Sequence, residues 1–371
     1  MARVCVSICV LIAVCGAVCL ADENQAPVVS NVRAAQRGDC SNMVDIYYDL
    51  ADAEGDECYI VVRASADGGA TWDLPVAHVS GNVSLLNHDT RQPTSVAPGT
   101  DRHIEYELAR DVYGFVCNDV KVRVIAEDVS SVTVADLCFV PAGRFMTSTS
   151  VSVSLSAYWI DKYEVTNALY CDFLNDGNAA HYHTEMAGDI IEMYAGPIYG
   201  PIEGRESYPV RYVTWFDAVA FCDWRSQREG LPAGSYHLPT EAQWEKAAGW
   251  DPVLEKLWTY AIQSDSIDCG KVNYGNCVGG PTEVGTYAGY TSYYGCYDMS
   301  GNVWEWCGDW YGGTYPSSGS DPGGPTSGSS RVVRGGVWYP NATYVQVACR
   351  SYRSPSSVYD AGGFRCARTI E

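Results

Sequence analysis

Positive charge is scarce in this chain: 24 Lys and Arg stand against 45 Asp and Glu in 371 residues, a formal net charge of −21. Binding nucleic acid requires clustered cations to neutralise phosphates, and no such cluster occurs, so that role is excluded. Histidine is scarcer still, with 6 in all. Only His181 and His183 stand close together, with no third ligand at a useful spacing for an iron centre. No C-x-x-C pair is present, which removes the spacing of common structural zinc sites. A G-x-S-x-G elbow, a phosphate-binding glycine loop and an H-E-x-x-H helix are likewise missing, and with them the hydrolase, nucleotide and metalloprotease chemistry they support. Acids are plentiful, yet no stretch singles out a carboxylate pair for glycoside hydrolysis.

Long apolar runs are also lacking, with one exception at the start. Arg3 supplies a short basic region, Val6 to Leu20 an apolar core, and Ala21 a small residue before Asp22. This reads as a secretory signal over residues 1–21; an uncleaved anchor is the alternative, although the run is near the short end for spanning a bilayer. No membrane span is expected after cleavage, and the mature protein is expected to be secreted, extracellular or periplasmic. Of 16 cysteines, Cys5, Cys9, Cys15 and Cys19 lie in the signal, leaving 12 in the mature chain. An even count in an exported protein points to disulfides.

Residues 22–135 alternate apolar and polar positions with turn punctuation. Val44, Ile46 and Tyr48 alternate with Asp45, Tyr47 and Asp49, and Val120, Val122 and Val124 with Lys121 and Arg123. Short, evenly punctuated strands over about 100 residues predict an antiparallel β-sandwich. Asp52, Glu54 and Asp56 alternate as in some Ca²⁺ loops, but no downstream Glu follows and a solvated acidic turn is the simpler reading. Cys40, Cys58, Cys117 and Cys138 supply two bridges in or just beyond this module, with connectivity left open.

From Cys138 onward the pattern changes to helices and aromatics. Thr166 is placed to cap a helix through Asn175, Thr214 and Asp217 form a capping box for one ending at Arg228, and Thr240 and Gln243 form another for one ending at Gly249. Val219, Cys222 and Trp224 are assigned to the buried face of the second, and Trp244, Ala247 and Ala248 to that of the third. Cys269 and Cys277 are close enough for a local bridge, and residues 311–330, rich in Gly, Ser and Pro, predict an irregular loop.

The stretch Tyr294 to Trp310, YGCYDMSGNVWEWCGDW, concentrates three tryptophans and three acids around a Ser300-Gly301-Asn302 turn. Trp304 and Trp306 share one face of a strand and suit core packing. Asp298 and Glu305, with carbonyls of the turn between them, suit a hard cation, because Ca²⁺ takes six to eight oxygens and accepts backbone carbonyls.

FVPAGRFMTS, DKYEVTNALYCDFL, PVRYVTWFDAVAFCDW with HLPTEAQWEKAA, YDMSGNVWEWCGDW, and RVVRGGVW with GFRCA follow one another in order. Together they resemble the formylglycine-generating enzyme, or sulfatase-modifying factor, family over residues 136–371. The fold this implies is α+β: a C-type-lectin-like domain of the family's own variety, preceded here by a fibronectin type III or immunoglobulin-like sandwich. The resemblance also implies Ca²⁺, with one site on Asp298 and Glu305 side chains and the Gly301 and Val303 carbonyls, and a second using Asn273 and the Tyr274 carbonyl. It further implies a disulfide between Cys222 and Cys366.

True enzymes of that family oxidise a substrate cysteine to formylglycine with copper held by two cysteines. Here those positions fall on Pro340 and Val345. Copper(I) needs soft thiolates, Cys349 alone does not rebuild the pair, and copper is not expected. The segment that carries the active site in enzymes instead offers Trp338, Tyr339, Asn341, Tyr344, Tyr352, Tyr359 and Asp360, the Tyr-rich, hydrogen-bonding composition of a recognition surface. The expectation is a Ca²⁺-stabilised, non-catalytic protein that binds a protein, a glycan or copies of itself; the competing one is an oxidase with relocated metal ligands. Asn82 and Asn341 sit in N-x-[ST] sequons.

Overall fold

The computed structural model describes residues 26–370 except 38–42, 71, 73, 75, 77, 86–92, 112–119, 129–135, 187–188, 195–197, 314 and 316–317. The signal segment, Cys40 and Cys117 therefore lie outside the described residues.

The first unit is built from strands β1 (Val28–Gln36), β2 (Met43–Ala51), β3 (Cys58–Ser65), β4 (Val79–Gly81), β5 (Gly99–Glu107) and β6 (Lys121–Asp128). They form an antiparallel sheet in the order β1-β2-β5-β4 and a two-stranded sheet of β3 with β6. Period-2 alternation explains the packing. Val44, Ile46, Tyr48 and Leu50 of β2 point into one core with Ile60, Val62, Val122 and Val124 of the opposing sheet, while the β2 residues between them face outward. The β3–β6 sheet has no outward face of this kind. Tyr59, Val61 and Ile125, on its other side, join Phe139 and Trp159 of the next unit in a second core. Arg368 and the Trp159 indole both reach Glu127, each at 3.1 Å, so the two units are joined by apolar packing and by ion pairing.

The second unit has two four-stranded sheets. One contains β7 (Leu137–Val140), β8 (Tyr158–Asp161), β9 (Tyr236–His237) and the C-terminal β14 (Ala367–Thr369), in the order β9-β14-β8-β7. The other contains β10 (Trp304–Trp310), β11 (Arg331–Arg334), β12 (Ser351–Arg353) and β13 (Gly362–Gly363), in the order β12-β11-β10-β13, with β10 and β13 parallel. Three helices pack around them: α1 (Asn167–Asn175), α2 (Trp215–Arg228) and α3 (Glu241–Gly249). Each starts where its cap residue predicts, at Thr166, Thr214 and Thr240, and the last two carry complete capping boxes. Cys222 and Trp224 of α2 are buried as expected, together with Ala218, Phe221 and Arg225, while Val219 is only partly buried. Residues 311–330 are not wholly irregular, since Gly319 and Ser320 pair in parallel with Val153 and Ser154.

β10 separates two cores. Trp304 and Trp306 project into the one containing α1 and α2, and Cys307 into the one containing Trp244 of α3. Glu305, between the tryptophans, is fully buried and would be costly without partners. It receives a two-pronged bond from the equally buried Arg365, Nε to Oε2 at 2.7 Å and Nη2 to Oε1 at 2.8 Å, and the Trp244 indole N–H at 2.8 Å. Arg225 of α2 meets Asp161 of β8 at 2.6 Å, and Arg334 of β11 meets Glu245 of α3 at 2.5 Å.

Removing one partner of a buried pair leaves the other charged and desolvated. Arg365→Ala should therefore cost about 3–5 kcal/mol in denaturant unfolding. Arg228→Ala, which breaks a solvent-exposed pair with Asp172, should cost under about 1 kcal/mol.

Candidate functional site

The chain turns sharply between Asp298 and Val303. Asp298, Gly301 and Asn302 all adopt positive φ, at 59°, 92° and 57°, and at Gly301 a side chain is also excluded by contact: a methyl there would lie 2.1 Å from the Asn273 carbonyl oxygen. The turn is thus pressed against residue 273. Asn302 N–H donates to the Asn273 carbonyl at 3.0 Å, and the Asn273 side-chain amide donates to the Gly280 carbonyl at 3.0 Å. The residues expected for two separate cation sites therefore belong to one contiguous cluster.

Three carboxylates sit in or beside this cluster. Glu164 is buried and accepts from the Asn302 amide at 2.8 Å and from Val303 N–H at 3.2 Å. Asp298 accepts from Gly285 N–H at 2.7 Å. Glu305 is engaged by Arg365 and Trp244 as described. One guanidinium thus faces three acids. Burial pushes the Asp298 carboxyl up to about 6, with Glu305 adding to the rise against the pull of Gly285 and Arg365. Burial, with the charges of Asp298 and Glu305, pushes Glu164 well above the usual carboxylate range.

The donor set suits a hard cation. The Asn273 side-chain oxygen is buried and has no hydrogen-bond partner, an arrangement that a ligated amide oxygen explains. A methyl on Gly335 would lie 3.6 Å from the Val303 carbonyl oxygen and 3.8 Å from Glu305 Oε1, so those two oxygens border the same small space. The Tyr274 carbonyl accepts from Cys277 N–H at 3.0 Å. Among the described residues no group of three His, Cys, Asp or Glu side chains is arranged to hold a metal; an ion here would draw most of its oxygens from carbonyls and amides, which Ca²⁺ tolerates. Its contribution would be structural, offsetting the excess negative charge.

The two residues that the family resemblance would align with copper ligands, Pro340 and Val345, are not thiols. The Pro340 carbonyl accepts from Gly275 N–H at 2.7 Å. Val345 is fully buried against Gly336, where a methyl would approach Tyr344 O to 2.4 Å. Cys349 is half-buried, and burial raises its thiol. Tyr339, Tyr344 and Tyr352 are each about half exposed, at 51%, 52% and 51%, and Asn341 and Asp360 are exposed. Trp338 departs from the expected surface role: it is 8% exposed and belongs to the core, so it supports the surface from beneath. Tyr359 is half-buried, packed edge-on against Trp306 with its hydroxyl buried.

His181 and His183 both bond Asp217, at 2.8 and 2.7 Å, and Asp217 in turn caps α2 through Thr214. The pair thus clamps a helix start. Cys269 and Cys277 form a disulfide, and the Cys222 and Cys366 sulfurs face each other at 3.5 Å as separate thiols.

Residues 122–370 match the sulfatase-modifying factor enzyme 1-like domain. The chain belongs to this family. The formylglycine-generating enzyme of Streptomyces coelicolor is 31% identical over 266 residues, covering 59% of this chain and 81% of that protein. The one from Thermomonospora curvata is 30% identical, covering 58% and 83%. Serine/threonine-protein kinase Pkn1 of Chlamydia trachomatis is 32% identical over 230 residues, 59% of this chain but 34% of the kinase, so the chain spans about a third of that relative. Among solved structures, Treponema denticola variable protein 1 overlays with a TM-score of 0.49 at 25% identity, covering 66% of this chain and 95% of that one.

Spacing singles out neither Glu164 nor Arg365; Arg365 is the lone charge of GFRCA, whereas Glu164 stands among Asp161 and Lys162. A charge at an otherwise apolar position, as in GFRCA, is the signal that points to Arg365.

A cation held at Asp298 would make stability depend on a chelator. Asp298→Ala should lower the melting temperature measured in Ca²⁺ and make it insensitive to a chelator, whereas the unaltered protein should lose several degrees on chelation.

Proposed function

We propose that this chain is an exported, Ca²⁺-stabilised member of the family that binds a partner, whether another protein, a glycan or further copies of itself, and does not oxidise cysteine. The observation that carries the reading is the identity of two residues. Where the resemblance puts copper thiolates there are Pro340, whose side chain has no donor atom, and Val345, whose side chain is packed in the core. Copper(I) without a thiolate pair has no soft site in this region. The half-exposed tyrosines at 339, 344 and 352 support recognition at the same place, because Tyr gives contact area at low cost in side-chain entropy. Export is supported by the apolar run of residues 6–20 and by the Cys269–Cys277 bridge.

The test is an activity assay. The protein loaded with copper should yield no formylglycine in a cysteine-containing peptide in the presence of oxygen and a thiol reductant, read as peptide mass. Aldehyde formation that is lost in Cys349→Ser would overturn the reading in favour of relocated ligands.

A further inference from the structure

Cys138 lies in the middle of β7, opposite Ile160 of β8. The chain leaving β8 stays with this neighbourhood: Lys162 N–H donates to the Asp136 carbonyl at 2.8 Å, and Tyr297 N–H donates to the Lys162 carbonyl at 2.9 Å. Lys162 thus holds both Asp136 and Tyr297, which brings the neighbouring Cys138 and Cys296 to the same end of β8 although they are far apart in sequence. Both side chains are buried in the same core, Cys138 at 4% exposure and Cys296 at 0%, and the Cys138 thiol hydrogen-bonds the Cys296 sulfur.

We infer that Cys138 and Cys296 become a disulfide, tying the first strand of the second unit to the turn that carries Asp298. The resemblance used above supplies a partner for Cys222 but none for this pair. The oxidant belongs to the class of small-molecule disulfides, such as oxidised glutathione. One thiol loses its proton and attacks an oxidant sulfur, releasing one equivalent of reduced glutathione and leaving a mixed disulfide. The second thiol then loses its proton and attacks the protein-borne sulfur, releasing the other equivalent; two protein thiols lose two electrons and two protons, and the oxidant gains them. Because both sulfurs are buried in the finished core, the exchange takes place while the chain folds.

Full-length protein, reduced and denatured, is refolded in a glutathione redox buffer, alkylated under denaturing conditions without reductant, digested and analysed by mass. The result expected is a linked pair of peptides containing Cys138 and Cys296, two hydrogens lighter than the sum of the free peptides, with the Cys269–Cys277 bridge as internal control. Alkylation of both cysteines, or linkage of either to another cysteine, overturns the inference. Refolding in glutathione makes this outcome independent of whether the chain is exported. As a second readout, reductant should lower the melting temperature of the unaltered protein more than that of the Cys138→Ser/Cys296→Ser double variant; equal shifts would count against the bridge.

Discussion

Everything in the second unit depends on how one buried carboxylate is paired. Glu305 sits at the boundary of two hydrophobic cores, where an ionised group is tolerated only with its lone pairs filled. The fork from Arg365 and the indole of Trp244 supply three donors, two to Oε2 and one to Oε1. Those three residues come from three separated motifs, so the pairing also fixes which elements lie side by side: α3, β10 and the C-terminal segment. Arg365 additionally donates to the backbone carbonyls of Asp161 and Tyr297. A single guanidinium thus ties the end of β8 to the turn before β10.

The same logic recurs across the unit. Arg334 bonds Glu245, Arg350 grips Glu241 in a two-pronged pair at 2.6 and 2.7 Å, and Arg225 bonds Asp161. Buried pairs of this kind add little net stability compared with well-packed apolar residues, but they penalise every wrong neighbour. That suits a fold with short strands and long irregular connections, in which hydrophobic burial alone leaves the register loosely specified. Around Asp298 the buried acids outnumber the guanidinium that faces them, and there an oxygen-rich set including the unpartnered Asn273 oxygen is gathered.

Local rules made much of this visible in the amino-acid sequence. The three helix starts are written in their cap residues, and the alternation in β2 is written in Val44, Ile46 and Tyr48. Trp304 and Trp306 were readable as core anchors from their spacing alone. The partners of buried charges were not readable, because Glu305 and Arg365 are 60 residues apart and no local rule relates them. Composition places Trp338 at the surface, yet packing buries it. Ala218, Phe221, Cys222 and Arg225 follow one helical stripe of α2, and what its period does not reveal is that a charged residue, Arg225, is admitted to the core by its pair with Asp161.

The chain has the family's domain, while under the proposed reading Pro340 and Val345 leave copper without a thiolate pair. Metal content measured on the full chain after exposure to both copper and calcium, followed by exhaustive washing, tests this most directly. Bound calcium with no retained copper is the predicted result; one tightly held copper per chain with no calcium would contradict it.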